Sequence, residues 1–342
     1  MPGADVPAGA APGDAVDVDV LVVGAGPSGL YAAYYAGFRG LTTAVVDALP
    51  EAGGQVTALY PEKMIFDIAG FPAVRGKDLV DNLVAQAAPF RPHYVLGDQA
   101  VSYAERSGGV VVTTAAGVVI LAKAVIVTGG IGTFTPRPLP GGTSWEGRGL
   151  SYVVPSYAPY FGKDVVVVGG GDSAVDWALG LEPVARTVTL VHRRDAFRAH
   201  AHSVKLLRDS SVSLVVPAQV MGISGGERVE ALSVRNLDTK QLTELPAQEV
   251  VAALGFTADI TPLEAWGLAI ADRHIVVDTT MATNLPRVFA AGDITEYPGK
   301  VRLISVGFGE AATAVNNAAT VIDPDATVFP GHSTEQVEGP AA

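Results

Sequence analysis

Two stretches of the chain share one pattern of hydrophobic and polar positions. Residues 19–33 (DVLVVGAGPSGLYAA) and 165–178 (VVVVGGGDSAVDWA) each pass from an unbroken apolar run through glycines to apolar residues at helical spacing. A short apolar run that ends in glycines is typical of a strand buried on both faces of a parallel sheet. The pattern therefore predicts two strand–turn–helix units of the kind that bind dinucleotides.

The first glycine turn, residues 24–29 (GAGPSG), follows the G-x-G-x-x-G pattern. Gly24 permits a tight turn, Gly26 lets backbone N–H groups approach a pyrophosphate, and Gly29 lets the helix lie close to the strand. The next apolar segment, TTAVVD, ends in Asp47, 18 residues after Gly29. An acid there accepts hydrogen bonds from ribose hydroxyls, which indicates a dinucleotide with a free ribose, such as FAD. A purely structural glycine turn is the alternative.

The second glycine turn, residues 169–174 (GGGDSA), has Gly169, Gly171 and Ala174 in the three small-residue positions. Its next predicted strand, TVTLV, ends without an acid and continues into the sequence HRRDAFRAH. Guanidinium groups bind a 2′-phosphate, so this unit predicts NADP(H) rather than NAD(H). A solvated basic surface turn is the alternative. A metal site at His200 and His202 is not expected, because residues two apart do not share a helix face.

The order of the segments predicts a discontinuous first domain. A disordered tail is expected over residues 1–16, an FAD-binding domain over 17–134 and 257–342, and an NADP(H)-binding domain over 135–256. The stretch GGVVVTTAAGVVILAKAVIV indicates an antiparallel meander attached to the FAD domain. The expected fold is α/β, with two Rossmann-like domains of three layers (ββα).

Composition narrows the chemistry. The chain has 342 residues, a formal net charge of −12 and no cysteine. The acidic balance argues against nucleic-acid binding, and the missing cysteines exclude disulfides and dithiol chemistry. No apolar run approaches the roughly 18 residues of a membrane span, and no secretory signal is evident. A cytoplasmic location is therefore the expectation.

The order of the motifs resembles a known family. The strings GAGPSG, EAGGQ, VTGG, GGGDSA, HRRDAFRAH and FAAGDI follow the order of the low-molecular-weight thioredoxin reductases. That family has a C-x-x-C pair just before the second glycine turn, where this chain has Val153, Pro155 and Ser156. Over residues 17–334 the chain instead resembles the thioredoxin-reductase-like ferredoxin–NADP⁺ reductases, which lack the dithiol. One departure is Asp47, where the family commonly has a longer acid.

The resemblance implies roles for individual residues. Tyr60 would stack on one face of the flavin and His332 would cover the other, and these two are the predicted catalytic positions. Ordinary packing or surface exposure is the alternative for both. The implied FAD contacts are Gly24, Gly26, Pro27, Ser28, Gly29, Asp47, Gly54, Gln55, Tyr60, Asp67, Val101, Gly130, Phe134, Asp293, Ser333 and Thr334. The implied NADP contacts are Gly169, Gly171, Asp172, Ser173, Ala174, His192, Arg193, Arg194 and Arg198.

The expected activity is electron transfer from NADPH through FAD to ferredoxin or flavodoxin, by a homodimer. Reduction of a small quinone and a non-catalytic redox sensor remain alternatives. Ferredoxins and flavodoxins are usually acidic, so an acidic enzyme needs a local basic patch to meet them. The candidates are Arg75, Lys77, Lys300 and Arg302, for each of which a solvated surface charge is the alternative.

Overall fold

The computed structural model describes residues 15–130 and 133–332, which pack into two compact units. The first unit takes its described residues from Met1–Thr57, Ile65–Thr133 and Asp259–Ala342, and the second from Ala58–Met64 and Phe134–Ala258. Ala58–Met64 therefore belongs to the second unit, whereas the sequence-based boundaries placed it in the first. Of the predicted sites, Ser333, Thr334 and the side chain of Phe134 lie outside the described part of the chain, as does most of the predicted tail.

The first segment of the chain builds most of the first unit. It contains β1 (Val16–Val23), α1 (Pro27–Phe38), β2 (Thr43–Asp47), α2 (Gln55–Leu59), β3 (Met64–Ile65), β4 (Val74–Arg75), α3 (Gly76–Ala87), β5 (His93–Leu96), β6 (Ala100–Arg106), β7 (Gly109–Thr114) and β8 (Val119–Val127). β1 already includes Val16, the last residue of the predicted tail.

The middle and last segments follow. The middle segment contains β9 (Thr133–Pro136), β10 (Leu150–Ser151), β11 (Asp164–Val168), α4 (Asp172–Leu181), β12 (Thr187–Val191), α5 (Ala201–Asp209), β13 (Ser213–Val215), β14 (Ala218–Gly225), β15 (Val229–Asn236), β16 (Leu242–Pro246), β17 (Glu249–Ala252) and β18 (Phe256–Asp259). The last contains α6 (Thr261–Glu264), β19 (Ile270–Ala271), β20 (His274–Val276), β21 (Val288–Ala290), β22 (Thr295–Glu296) and α7 (Ile304–Ile322).

In the first unit, β8 joins two kinds of sheet. Its second half lies between β1 and β21, which with β2 and β5 make a parallel sheet in the order β5-β2-β1-β8-β21. Its first half pairs antiparallel with β7, which pairs with β6, and this is the predicted meander. Helix α1 contacts both α3 and α7. The parallel sheet brings the carboxyl ends of β1, β2, β8 and β21 to one edge, where ligands bind in such folds.

The second unit repeats the plan. Its parallel sheet has the order β10-β17-β11-β12-β13, and β14, β15 and β16 form a separate antiparallel sheet. Alternate residues of β11 enter different cores. Val165 and Val167 pack in one with residues of α4 and α5, whereas Val166 and Val168 pack in another with residues of β14 and β15. Burial on both faces explains why the strand is an unbroken valine run, and the layers are the predicted ββα.

Candidate functional site: two glycine turns at the sheet edges

The first glycine turn is tightly packed at Gly24 and Gly29 and open at Gly26. Gly24 has φ +116°, and a Cβ on it would lie 2.6 Å from the carbonyl oxygen of Thr128. A Cβ on Gly29 would lie 1.8 Å from the carbonyl oxygen of Gly24. By contrast, no described heavy atom lies within 4 Å of the position of a Cβ on Gly26. Helix α1 begins at Pro27, so its free N–H groups and this open space fit the pyrophosphate of a dinucleotide.

Asp47, the last residue of β2, is hydrogen-bonded to the same turn. Its Oδ2 accepts the N–H of Ala25 at 2.6 Å, and its Oδ1 accepts the N–H of Leu49 at 2.8 Å. Burial raises the pKa of this carboxyl, although both backbone hydrogen bonds oppose the shift. A carboxylate has about four acceptor sites, so two bonds leave acceptors for a ribose. Asp47 therefore fixes the turn and also fits the predicted ribose contact.

The Gly-Gly-Gln segment lies against the first glycine turn. The N–H of Gly53 donates to the carbonyl of Ala25 at 2.8 Å. A Cβ on Gly54 would lie 2.9 Å from Cα of Gly26. Gln55 begins α2, and its Nε2 lies 2.7 Å from where a Cβ on Gly130 would be. The predicted residues Gly54, Gln55 and Gly130 are thus brought together at the edge of the sheet.

Asp293 reaches the same edge from β21. Gly292, with φ +83°, lies against Ser28, because its Cβ would be 2.8 Å from the Ser28 hydroxyl. Gly307, in the first turn of α7, contacts the same hydroxyl, and its Cβ would be 2.3 Å away. Ser28, the turn that carries Asp293 and the start of α7 therefore meet. Burial raises the pKa of Asp293, opposed by the charges of Lys300, Arg302 and His274.

Asp67 and Val101, two further residues predicted to contact FAD, also lie in the first unit. The backbone carbonyl of Asp67 accepts the hydroxyl of Ser305, in the first turn of α7, at 2.7 Å. Val101 is half-buried in β6. Its segment starts just after Asp98, whose N–H donates to the backbone carbonyl of Asp47 at 3.1 Å. Both residues are therefore near elements of the dinucleotide edge.

The two predicted catalytic residues, Tyr60 and His332, contact a core cluster and an aromatic ring, respectively. Tyr60 packs against the core of the second unit that contains α4, and its neighbour Lys63 pairs with Asp176 of that helix. The ring of His332 meets Phe329 edge-on, with 5.1 Å between ring centroids. Arg39 of α1 holds the chain just before that ring, by donating to the carbonyls of Thr327 and Val328 at 2.9 and 3.1 Å. The roles of Tyr60 and His332 at a flavin stay predictions.

The second glycine turn has the same open and closed positions as the first. A Cβ on Gly169 would lie 2.4 Å from the carbonyl oxygen of Ala253 and 2.8 Å from the Cβ of Ala174. A Cβ on Gly171, like one on Gly26, would have no heavy atom of the described residues within 4 Å beyond its chain neighbours. Helix α4 begins at Asp172, directly after this glycine, and Ser173 is exposed in its first turn. This end of α4 also fits a pyrophosphate.

The basic loop, residues 192–198, folds back over the second glycine turn. The N–H of Arg198 donates to the carbonyl of Gly170 at 2.7 Å, and a Cβ on Gly170 would lie 2.2 Å from the ring of His192. That ring also stacks on Phe197, with 5.5 Å between centroids. Burial, with the charges of three arginines, lowers the pKa of His192. Those arginines are exposed beside the turn: Arg193, Arg194 and Arg198.

Past the glycine turn, Asp172 also helps to hold this arrangement. Its Oδ1 accepts the N–H of His200 at 2.8 Å, which ties the end of the HRRDAFRAH sequence to the start of α4. The loop thus has attachments at both the Gly170 carbonyl and the Asp172 carboxylate. Its position, which the sequence alone did not reveal, puts a loop with three exposed arginines next to the open glycine turn.

The prediction that Lys300 belongs to an exposed basic patch is wrong, and its partner Glu310 was not predicted. Lys300 was a candidate for an exposed basic patch, but its side chain is 1% exposed and pairs with Glu310 of α7, which is 5% exposed. The other missed residue is Thr128, whose hydroxyl donates to the Gly24 carbonyl at 2.8 Å. Thr128 has a sequence signal, since it is the second residue of the VTGG string at the end of a predicted strand. Glu310 has none, because an acid in a helix is usually solvated.

The described residues contain neither a metal-type cluster of side chains nor a membrane-type helix. Across residues 15–130 and 133–332, no cluster of three or more histidine, aspartate or glutamate side chains has an arrangement that could hold a metal ion. In that same part of the chain, no helix combines the length and apolar character needed to cross a membrane.

Comparison with known proteins gives the family. Residues 18–318 match the family described as pyridine nucleotide-disulphide oxidoreductase. The chain belongs to this family. The membership confirms the predicted oxidoreductase class, the fold, and the use of FAD and NADP(H) as cofactors. A disulphide is still not a substrate that this member can reduce by dithiol exchange, because the chain has no cysteine.

Relatives within the family refine the comparison. A ferredoxin–NADP reductase of Nocardioides sp. is 63% identical over 326 residues, which is 94% of this chain and 98% of the relative. A ferredoxin–NADP reductase of Frankia alni is 61% identical and covers 92% of this chain and 98% of its own. Among solved structures, the thioredoxin reductase of T. acidophilum matches with a TM-score of 0.76 and 26% identity, over 90% of this chain and 98% of that one. These findings confirm the resemblance stated from the sequence.

Proposed function

We propose that this protein transfers electrons between NADPH and ferredoxin, or a similar one-electron carrier, through bound FAD. The observation that carries the proposal is the pair of glycine turns with opposite charges beside them. Asp47 lies next to the first, and Arg193, Arg194 and Arg198 lie next to the second. An acid favours a free ribose and repels a 2′-phosphate, whereas guanidinium groups bind the phosphate. The ferredoxin–NADP reductases among the relatives support the same activity.

The first unit would hold FAD through its sheet edge. Gly26 and the start of α1 would bind the pyrophosphate, and Asp47 the ribose of the ADP half. Gln55, Gly130 and Asp293 would hold the rest of the cofactor from the adjoining strand ends. Tyr60 and His332 would cover the flavin ring, and covering the ring limits the access of oxygen and water. Bound FAD supplies two-electron chemistry toward NADPH and one-electron chemistry toward the carrier.

The second unit would position NADPH. Gly171 and the start of α4 would bind its pyrophosphate, and the arginines of the basic loop its 2′-phosphate. The His192 ring, which contacts both Gly170 and Phe197, would keep that loop over the turn. Hydride transfer needs no side-chain base, so the task of these residues is placement. With no cysteine in the chain, electrons would leave the flavin directly to the carrier.

Each of the four cations that the sequence suggested for binding an acidic carrier has a carboxylate partner in the structure. Lys300 is buried, and the other candidate cations already pair with carboxylates: Arg75 with Asp78, Lys77 with Asp81, and Arg302 with Glu296. These three pairs are exposed, and exposed ion pairs contribute little to stability, so their members can change partners readily. We therefore propose that carrier binding relies weakly on charge, and that the rate changes little when the salt concentration is raised from low to physiological values.

The test is NADPH-dependent reduction of cytochrome c with and without added ferredoxin. The proposal expects a rate that increases with ferredoxin and saturates. A rate independent of ferredoxin, combined with rapid turnover of a small quinone, would favour the quinone reductase instead. A bound flavin that NADPH does not reduce under anaerobic conditions would indicate a redox sensor.

A homodimer and a cytoplasmic location complete the proposal. The homodimer is implied by the resemblance to the family, and the location is the expectation drawn from the composition of the chain. The mass of the holoprotein in solution, by light scattering after size-exclusion chromatography, tests the first. A mass of about twice the 35.1 kDa chain is expected, and the mass of a single chain would contradict it. Fractionation of the source cells tests the second.

A further inference from the structure

A buried ion pair lies directly behind the turn that carries Asp293. Glu310 of α7 and Lys300 are 2.5 Å apart, with side chains 5% and 1% exposed. The carboxylate of Glu310 also accepts the Tyr297 hydroxyl at 2.5 Å and the Thr295 hydroxyl at 3.5 Å. Every member of this group thus has a partner inside the first unit, which is the condition under which the attraction between buried charges can repay their desolvation.

Both members of the pair hold one residue, Gly292. Its N–H donates to Oε2 of Glu310 at 2.7 Å, and its carbonyl accepts Nζ of Lys300 at 3.0 Å. Gly292 immediately precedes Asp293 and lies against Ser28 of the first glycine turn. Glu310 belongs to the same helix as Gly307, which also contacts Ser28. The pair therefore joins the Asp293 turn, the start of α7 and the first glycine turn.

Stability alone does not account for the pair. A buried ion pair is often no more stabilising than well-packed apolar residues of similar volume, because removing both charges from water is costly. Its charges do reach the proposed cofactor edge. Lys300 and Glu310 act on the pKa of Asp293 in opposite directions, the first lowering it and the second raising it. With both charges present, these effects oppose each other.

We propose that Glu310 and Lys300 are positioning residues of the flavin site, which fix Asp293 through Gly292 and keep the buried charge behind the flavin balanced. The inference deepens the proposed function and rests on the FAD role of Asp293. Neither residue needs to touch the cofactor. Their effect is carried by the geometry of the Gly292–Asp293 turn and by an electrostatic field that, in a buried setting, is only weakly screened.

The test uses variants that change the buried charge in opposite directions. Glu310→Gln leaves an unpaired cation, which favours a reduced, negatively charged flavin, so the midpoint potential of bound FAD should rise. Lys300→Met leaves an unpaired carboxylate, so the potential should fall. The double variant Glu310→Gln/Lys300→Met should lie between the two. Each single variant should also raise the Kd of the apoprotein for FAD at least ten-fold, measured by quenching of flavin fluorescence.

A matched control comes from the nearby exposed pair of Glu296 and Arg302. Glu296→Gln removes the same charge as Glu310→Gln, but water screens it. Its Kd for FAD should therefore stay within two-fold of the parent value, and its midpoint potential should shift by much less than that of Glu310→Gln, although the charge of Arg302 also acts on Asp293. If Lys300→Met does not fold, the comparison of Glu310→Gln with the double variant decides, since Glu310→Gln must have the higher potential.

The outcomes separate this inference from the proposed function. Shifts of the potential in the same direction for both single variants, no shift, or an equal shift for Glu296→Gln would overturn the charge-balancing role and leave only a structural one. Failure of the parent protein to reduce ferredoxin, with FAD bound and reducible by NADPH, would overturn the proposed function alone. The signs of the potential shifts are measured on bound FAD and do not depend on the carrier.

Discussion

Gly170 offers the sharpest test of the basic loop. A Cβ at this position would lie 2.2–2.4 Å from three ring atoms of His192, and ordinary contact begins near 3.4 Å. In Gly170→Ala the ring must therefore move by about 1 Å, and overpacking of this kind costs ~1–3 kcal/mol of stability. The ring stacks on Phe197, and Arg198 donates to the Gly170 carbonyl. The displacement should thus shift the arginines away from a 2′-phosphate.

The size of the functional effect follows from the hydrogen bond to the 2′-phosphate that this displacement would break. One hydrogen bond to a charged group contributes ~1.5–3 kcal/mol, which corresponds to roughly 10- to 150-fold in binding. We expect kcat/KM for NADPH to fall by about that factor in Gly170→Ala, with kcat/KM for NADH changed less than about three-fold. The assay is steady-state reduction of ferricyanide with each nucleotide.

The neighbouring glycine is the matched control. The described residues leave free space around a Cβ on Gly171, so Gly171→Ala should keep the stability of the parent. The added methyl group would instead occupy the space proposed for the pyrophosphate, so kcat/KM should fall by the same factor with NADPH and with NADH. The reasoning is refuted if Gly170→Ala lowers activity with NADPH and NADH by the same factor, or if it keeps the full preference for NADPH.

Three further predictions follow from single contacts. Gly29→Ala puts a Cβ 1.8 Å from the Gly24 carbonyl, so we expect purified protein with little or no bound FAD by absorbance; normal FAD content would contradict the packing described. Asp47→Asn loses one of the two oxygen atoms that accept backbone N–H groups. Removing the buried charge offsets part of this loss, so we expect urea unfolding to show a destabilisation of about 1 kcal/mol. FAD binding should also weaken. Arg186 lowers the pKa of Asp164 to about 2. Because this folded value is below the unfolded one, the stabilisation is complete above about pH 4 and is lost as the pH falls through about 2. Asp164→Asn should therefore cost about 1 kcal/mol at pH 7 after allowance for solvent screening and clearly less at about pH 2, by urea unfolding at both pH values.

The sequence predicted the parts of the fold that depend on local pattern. The valine run of β11 is continuous because the strand is buried on both faces, and Gly24, Gly29 and Gly169 occur where a side chain would collide with backbone. These are properties of neighbouring residues, so they leave a local signal. The strand–turn–helix units, the meander and the split first domain were all predicted on this basis.

Features that depend on distant residues were harder to predict. Lys300 follows Pro298 and Gly299, a pair typical of a surface turn, and only the fold puts it beside Glu310, ten residues on. The grouping of Ala58–Met64 with the second unit likewise depends on packing of Tyr60 against a core made from residues beyond 150. The basic loop was recognised by its charges, but its return over Gly170 depends on the His192 ring and the Gly170 carbonyl.

The central claim is that FAD in this chain connects NADPH to a one-electron carrier without any sulfur relay. The most direct measurement is an anaerobic titration of the purified holoprotein with NADPH, followed by addition of oxidised ferredoxin in a stopped-flow spectrophotometer. The account predicts bleaching of the flavin absorbance by one equivalent of NADPH, and its return as ferredoxin becomes reduced. A protein without flavin, or a reduced flavin that ferredoxin leaves bleached, would contradict it.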